Sequence, residues 1–189
     1  MKTKILALAI IGILSTYTVF SQKVEVDTKA SNVEWHGKKV GGKHDGNINL
    51  KSGSFELKDD KIASGNFVID MTSITNNDLK NEGYNQKLVG HLKSDDFFGV
   101  EKFPTASFEV TQSSKFSNGK ATLTGDITIK GKTESISFDA VRAGNEYTAE
   151  IEIDRSKFDV RYGSKSFFKD IGDKAIDDIF TLNVKLVVN

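Results

Sequence analysis

The chain has 189 residues, with Lys+Arg and Asp+Glu equal at 26 each and no cysteine. That balance leaves no basic footprint for nucleic acid and no polybasic tract for a membrane surface. Without thiols there are neither disulfides nor thiolate metal sites, so stability has to come from an ordinary apolar core, for which the length is ample.

The first segment, MKTKILALAIIGILSTYTVFSQ, carries Lys2 and Lys4, an apolar run from Ile5 to Leu14 and small residues leading to Ser21. This pattern predicts a secretory signal peptide over residues 1–21, cleaved between Ser21 and Gln22, with Val19 and Ser21 at the small-residue positions of the cleavage site. The run is shorter than the ~20 apolar residues of a spanning helix. No cysteine follows it, so acylation at a new N-terminus is closed. Residues 22–189 show no linker, composition shift or repeat, and are expected to form one domain, periplasmic or secreted.

Early strands are expected in VEVD, NVEWHGKK, HDGNINLKSGSFEL and the run from Ile62 to Met71, with Gly53 and Asp59-Asp60 as breaks. In NFVIDM, the residues Phe67, Ile69 and Met71 share one face, the period-two mark of a half-buried strand. The glycine-rich GGKHDG has no phosphate-loop spacing and reads as a turn or bulge between strands.

YNQKLVGHLKSDDFFGVEKFP then breaks the alternation. Tyr84, Leu88 and Leu92 recur at i, i+4 and i+8, so a short helix with one apolar stripe is expected, followed by Phe97, Phe98 and Phe103 and by Pro104 at the start of the next strand.

Alternation resumes in TASFEV (Ala106, Phe108, Val110), ATLTGDITIK (Leu123, Ile127, Ile129) and SISFDAV (Ile136, Phe138, Ala140). It continues through YTAEIEID (Tyr147 to Ile153) and TLNVKLVVN (Leu182 to Val188). The opposite face of ATLTGDITIK is fully polar. Asn118-Gly119, Gly131 and Gly144-Asn145 are tight-turn signals, which make neighbouring strands antiparallel. YGSKSFFKDIGDKAIDDIFTL precedes the last strand and is expected as a second lip of the structure or a segment on its outside.

About eight such strands suit a sandwich or an up-and-down barrel, and alternation alone does not separate the two. An outer-membrane barrel alternates the same way, but the chain ends in Val188-Asn189 without a terminal aromatic, and its strands lack paired aromatic girdles.

The motifs WHGKKVGGKHDGNINLKSG, GNFVIDMTSI, KLVGHLKSDDFFGVEKFPTASFEV, LTGDITIKGKTESISF and IDRSKFDVRYG together resemble the YceI-like family, over essentially all of residues 22–189. The most specific is HLKSDDFFGVEKFPTASF. The resemblance implies an all-β fold: a single antiparallel up-and-down, calycin- or lipocalin-like β-barrel with a long hydrophobic pore and a short helix near one mouth. It further implies an isoprenoid, isoprenoid-quinone or other lipid as ligand.

With an open pore, Trp35, Phe67, Phe108, Phe138 and Phe158 become candidate wall contacts, and Leu88, Leu92, Phe97, Phe98 and Phe103 candidate mouth residues. His91 is a candidate head-group donor. Arg155 could grip an acidic head, or serve a structural ion pair with Asp154 or Asp159. His36, His44 and His91 lack metal-ligand spacing. Asp95-Asp96 and Asp177-Asp178 are adjacent rather than opposed across a cleft, and no Gly-x-Ser-x-Gly elbow occurs. The expected protein is therefore a lipid carrier with neither enzyme activity, metal nor cofactor, not integral to a membrane, and compatible with a homodimer. The alternative is a solidly packed barrel acting as a stress-response or protein-interaction module.

Overall fold

Tight turns set the polarity of the molecule, which we describe from a computed structural model covering residues 21–189; the expected leader, Ser21 apart, lies outside the described residues. Asp59-Asp60, Asn118-Gly119 and Lys130-Gly131 each place two successive residues at positive φ, between 50° and 77°. This is the backbone of the hairpin turn whose twist matches that of the flanking strands, and Asp, Asn and Gly tolerate it best.

The strands are β1 (Gln22–Glu25), β2 (Asn32–Lys39), β3 (Gly42–Lys58), β4 (Lys61–Asp70), β5 (Thr105–Ser113), β6 (Lys120–Ile129), β7 (Lys132–Ala143), β8 (Glu146–Asp154) and β9 (Ile179–Val187); the described residues also hold one α-helix, α1 (Glu82–Lys93), and three short 3-10 turns, Met71–Ser73, Arg155–Phe158 and Gly172–Lys174. All pairings are antiparallel: from β2 to β9 each strand pairs with its sequence neighbour, β1 pairs with β3, and β2 also pairs with β9. That last pairing closes the sheet. β1 and β2 share one edge of β3, β1 against Ser54–Leu57 and β2 against Gly42–Ile48, so they act as one interrupted wall of an eight-stranded barrel. The expected barrel is the observed one, and the sandwich is excluded.

Gly53 is not a strand break. It lies inside β3 opposite Phe67, while the ladder irregularities fall between Leu50 and Ser52 and between Glu56 and Leu57. A Cβ at Gly53 would stand 2.9 Å from the Phe67 ring. The missing side chain is what lets that ring lie flat against the strand.

Because the strands simply alternate up and down, connections alternate between the two ends. The lower end receives the turns β3–β4, β5–β6 and β7–β8, and the upper end receives β2–β3, β6–β7 and both long excursions, residues 71–104 and 155–178. One end is thus closed by hairpins, and the other is covered by α1 and irregular chain.

The outer wall is polar. Across β6 and β7, Thr122 donates to the Asp139 carboxylate at 2.8 Å, and the hydroxyls of Thr124 and Ser137 meet at 3.1 Å and those of Thr128 and Thr133 at 2.8 Å, a cross-strand polar ladder on the solvent face. The apolar sets point inward as two clusters. The lower includes Val24, Phe55, Phe67, Phe116, Leu123 and Tyr147. The upper includes Val33, Met71, Leu92, Phe97, Ile127, Phe158 and Val160. No helix among the described residues is long and apolar enough to cross a membrane.

Candidate functional site

Between the two clusters lies a cavity of about 560 Å³, within the ~300–1,000 Å³ typical of small-ligand pockets. Its lower part is bounded by Phe55, Ile62, Leu123, Ala140 and Tyr147. Tyr147 meets Phe55 edge-on at 5.1 Å and Phe116 at 5.9 Å, a preferred aromatic geometry that makes a firm floor. The middle is walled by Phe67, Phe108 and Phe138 with aliphatics from β6 to β9. Phe108 touches both of the other rings, at 6.4 and 5.3 Å.

The upper end is built by the two excursions. Helix α1 starts at Asn81, whose side-chain oxygen accepts from the Tyr84 backbone N–H at 3.1 Å, an ordinary N-cap. Its stripe is only partly used: Leu92 is buried and Leu88 half-buried, whereas Tyr84 is 67 % exposed. The first turn therefore projects beyond the barrel. After α1 the chain tightens, and Lys130 Nζ donates to the carbonyls of Phe97 at 2.7 Å, Asp95 at 3.2 Å and Asp159 at 3.4 Å. One lysine on a β-turn thus ties both excursions together.

Arg155 is 2 % exposed and faces the cavity top. Its Nε donates to the Asp177 carbonyl at 3.0 Å, Nη1 to those of Val160 and Tyr162 at 2.9 Å each, and Nη2 to that of Ile176 at 3.0 Å. Asp178 Oδ1 lies 3.3 Å from Nη2 without hydrogen-bond alignment. Burial pulls the guanidinium pKa down and the facing Asp178 charge resists it. With its donors spent on backbone, Arg155 is the knot of the second excursion. Its ion-pair partner is Asp178, not Asp154 or Asp159; Asp159 is bound by Arg161 at 2.6 Å.

His91 faces the cavity and meets Tyr162 edge-on at 4.3 Å and Phe97 at 5.7 Å. Helix and second excursion thereby touch at the mouth. The segment 162–177 is the second lip, beside the helix rather than across the barrel from it. The β2–β3 hairpin completes the opening: Val40 N–H donates to the Ala175 carbonyl at 3.1 Å, and Asp177 N–H to that of Lys38 at 2.9 Å. On its far side, His44 Nδ1 lies 2.9 Å from Asp78 Oδ2. Burial disfavours the Asp78 charge, but the His44 hydrogen bond, the Asp45 N–H and the Asn76 amide outweigh it and lower this carboxyl to about 2.

Of the twelve residues singled out from the sequence, Trp35, Phe67, Leu88, His91, Leu92, Phe97, Phe98, Phe108, Phe138 and Arg155 line the cavity. Phe103 and Phe158 do not. Phe103 lies over the β6–β7 turn, where a Cβ on Gly131 would come within 3.0 Å of its ring, and Phe158 is sealed in the upper cluster at 1 % exposure. Missed from the sequence were Tyr162, Lys38, Lys39, His44 and Lys174 at the mouth and Tyr147 at the floor. Only Tyr147 carried a usable signal, its place on an inward face. Among the described residues no group of His and carboxylates is arranged to hold a metal.

Known proteins of similar sequence include a UPF0312 protein of Vibrio parahaemolyticus, 34% identical over 105 residues, which is 53% of this chain and 52% of the relative. A UPF0312 protein of Shewanella denitrificans is 31% identical over 99 residues, 52% of this chain and 49% of the relative. The chain thus spans about half the length of the curated relatives it matches. Among solved structures, Burkholderia cenocepacia BcnA superposes with a TM-score of 0.68 at 25% identity, over 87% of this chain and 99% of that one. A polyisoprenoid binding domain from Saccharophagus degradans shares the fold, with a TM-score of 0.59 at 12% identity over 88% and 97% of the two chains. The YceI-like domain matches residues 25–188, essentially the whole barrel from β1 to the end of β9, and the chain belongs to the YceI-like family.

Proposed function

We propose that this protein is exported and holds a long apolar chain, an isoprenoid, isoprenoid quinone or fatty-acyl group, inside its barrel for carriage or sequestration. The observation that carries this reading is the apolar cavity between the Tyr147 floor and the mouth at His91 and Tyr162. A solidly packed interaction module has no use for such a space. Each buried CH₂ is worth ~0.8 kcal/mol, so an acyl or prenyl tail binds without any directed polar contact. The polyisoprenoid binding domain of the same fold supports the ligand class, and the leader-like residues 1–21 support export. With Arg155 committed to backbone carbonyls, a polar head would meet His91, Tyr162 and the mouth lysines instead.

The test is to express the whole reading frame, purify the protein without detergent and extract it with organic solvent for lipid mass spectrometry. A stoichiometric prenyl or acyl species is expected. A blank extract from stable, folded protein that also takes up no added prenol would transfer the weight to a protein-binding module.

A further inference from the structure

Seven large hydrophobic side chains are exposed among the described residues, and six of them stand at the mouth end: Val40, Tyr84, Tyr162, Phe167, Phe168 and Ile179. The lower end and the side walls have only Val141. Scattered single apolar residues on a surface are ordinary, but their concentration at one end marks an interaction site.

Two of the six are consecutive. Phe167 and Phe168 are 39% and 48% exposed on a turn whose two amides both donate to the Ser164 carbonyl, at 3.2 and 3.0 Å. Ser164 itself is fully buried, so the turn is anchored and its rings are held outward. The Arg161 guanidinium lies 5.0 Å from the Phe167 ring centroid. Lysines flank the pair in the order Lys165-Ser166-Phe167-Phe168-Lys169.

Charge at this rim differs from that of the whole chain. Lys38, Lys39 and Lys43 at the tip of the β2–β3 hairpin join Lys165, Lys169 and Lys174 on the second lip, and residues 38–43 and 162–177 together contain three aspartates, Asp170, Asp173 and Asp177. All six lysines are exposed, and among the described residues none is in an ion pair. The hairpin and the lip are hydrogen-bonded to each other through Val40, Lys38, Ala175 and Asp177, so the patch is one surface.

We infer that this rim docks on an anionic lipid bilayer. Aromatic rings beside free lysines are the arrangement that partitions to a membrane interface, with rings among the acyl chains and ammonium groups at the phosphates. The patch also surrounds the only end of the barrel not closed by hairpins. A cargo chain leaving the cavity there enters the bilayer without crossing water. The inference rests on the carrier reading for its purpose, but the docking itself is measurable without cargo.

The purified protein is to be sedimented with sucrose-loaded vesicles of phosphatidylcholine alone and of phosphatidylcholine mixed with phosphatidylglycerol, and its own lipid extract analysed in parallel. Binding is expected to the anionic vesicles and to weaken with added salt. The partition coefficient is expected to fall about tenfold or more in F167S/F168S, and similarly in K165E/K169E, with thermal unfolding unchanged in both. Absence of vesicle binding, or binding that neither double variant weakens, overturns the docking site. Concentration-dependent dimerisation that F167S/F168S abolishes, without vesicle binding, does so too and assigns the rim to a second copy of the chain. Protein that carries lipid but ignores vesicles leaves the carrier reading standing, while protein that binds vesicles but is always empty leaves the docking site standing.

Discussion

Trp35 and Gly46 face each other across β2 and β3, and both converge on one backbone atom, the carbonyl oxygen of Thr75. Trp35 Nε1 donates to it at 3.0 Å, and a Cβ on Gly46 would collide with the same carbonyl and with the indole, at 2.8 Å from its Cε2. The glycine is the space through which the chain after β4 crosses the barrel rim. Gly46→Ala forces that crossing outward and is expected to cost at least ~1–3 kcal/mol. Urea unfolding measures it; an unchanged midpoint would mean that the crossing relaxes freely.

Arg155→Lys is expected to behave almost as badly as Arg155→Ala, because an ammonium reproduces neither the fork nor the reach to four carbonyls. Losing the guanidinium leaves buried acceptors and Asp178 uncompensated, a loss of ~3–5 kcal/mol for a broken buried charge cluster. Calorimetry gives the stability, and limited proteolysis should show new cleavage between 160 and 178. A lysine variant as stable as the parent would show that Arg155 is not the knot.

The Asp78 carboxyl, at about 2 in the folded chain, sits below its ordinary value of ~3.9. Its contribution is therefore fully present above pH ~4 and is lost as pH falls through the folded value. Trp35 is the single tryptophan and is bonded to Thr75 in the adjoining loop, so its fluorescence reports the step. The parent should show an acid transition between pH ~4 and ~2, and Asp78→Asn should lack it. An identical transition in the variant would place its origin elsewhere.

Ala140 stands at the cavity floor, 5% exposed, and Ile136 stands higher on the same face of β7. Ala140→Phe should shorten the longest bound chain, whereas Ile136→Trp should displace ligand altogether. Overpacking costs are ~1–3 kcal/mol at most sites, and part of that is offset here because the new ring fills open space. Lipid extracts and melting curves of the two variants separate the effects; full ligand content in both would mean that the chain binds outside the barrel.

The wall of the site was legible from local pattern, its upper closure only in part. Phe67, Phe108 and Phe138 sit on period-two strands, where backbone geometry puts alternate residues on one face. The helix was visible from Leu88 and Leu92, but Tyr84 continues their stripe and points into solvent, since spacing places a residue on a face without saying how far the barrel beneath extends. Phe103 lies in irregular chain after the helix and Phe158 ends a short 3-10 turn, Arg155–Phe158, so neither follows the strand period.

Sequence by itself determined the turns, the strands apart from the false break at Gly53, and which residues share an apolar face, though not that those faces point inward, because alternation and the positive-φ preferences of Asp, Asn and Gly act within a few residues. Barrel closure, the role of Arg155 and the basic aromatic rim were decided by tertiary structure. Closure joins β2 to β9, Arg155 answers carbonyls up to 22 residues away, and the rim brings Val40 against Ala175. A neutral total of charged residues conceals such a patch, because an electrostatic surface depends on where charges meet in space and composition counts them wherever they lie.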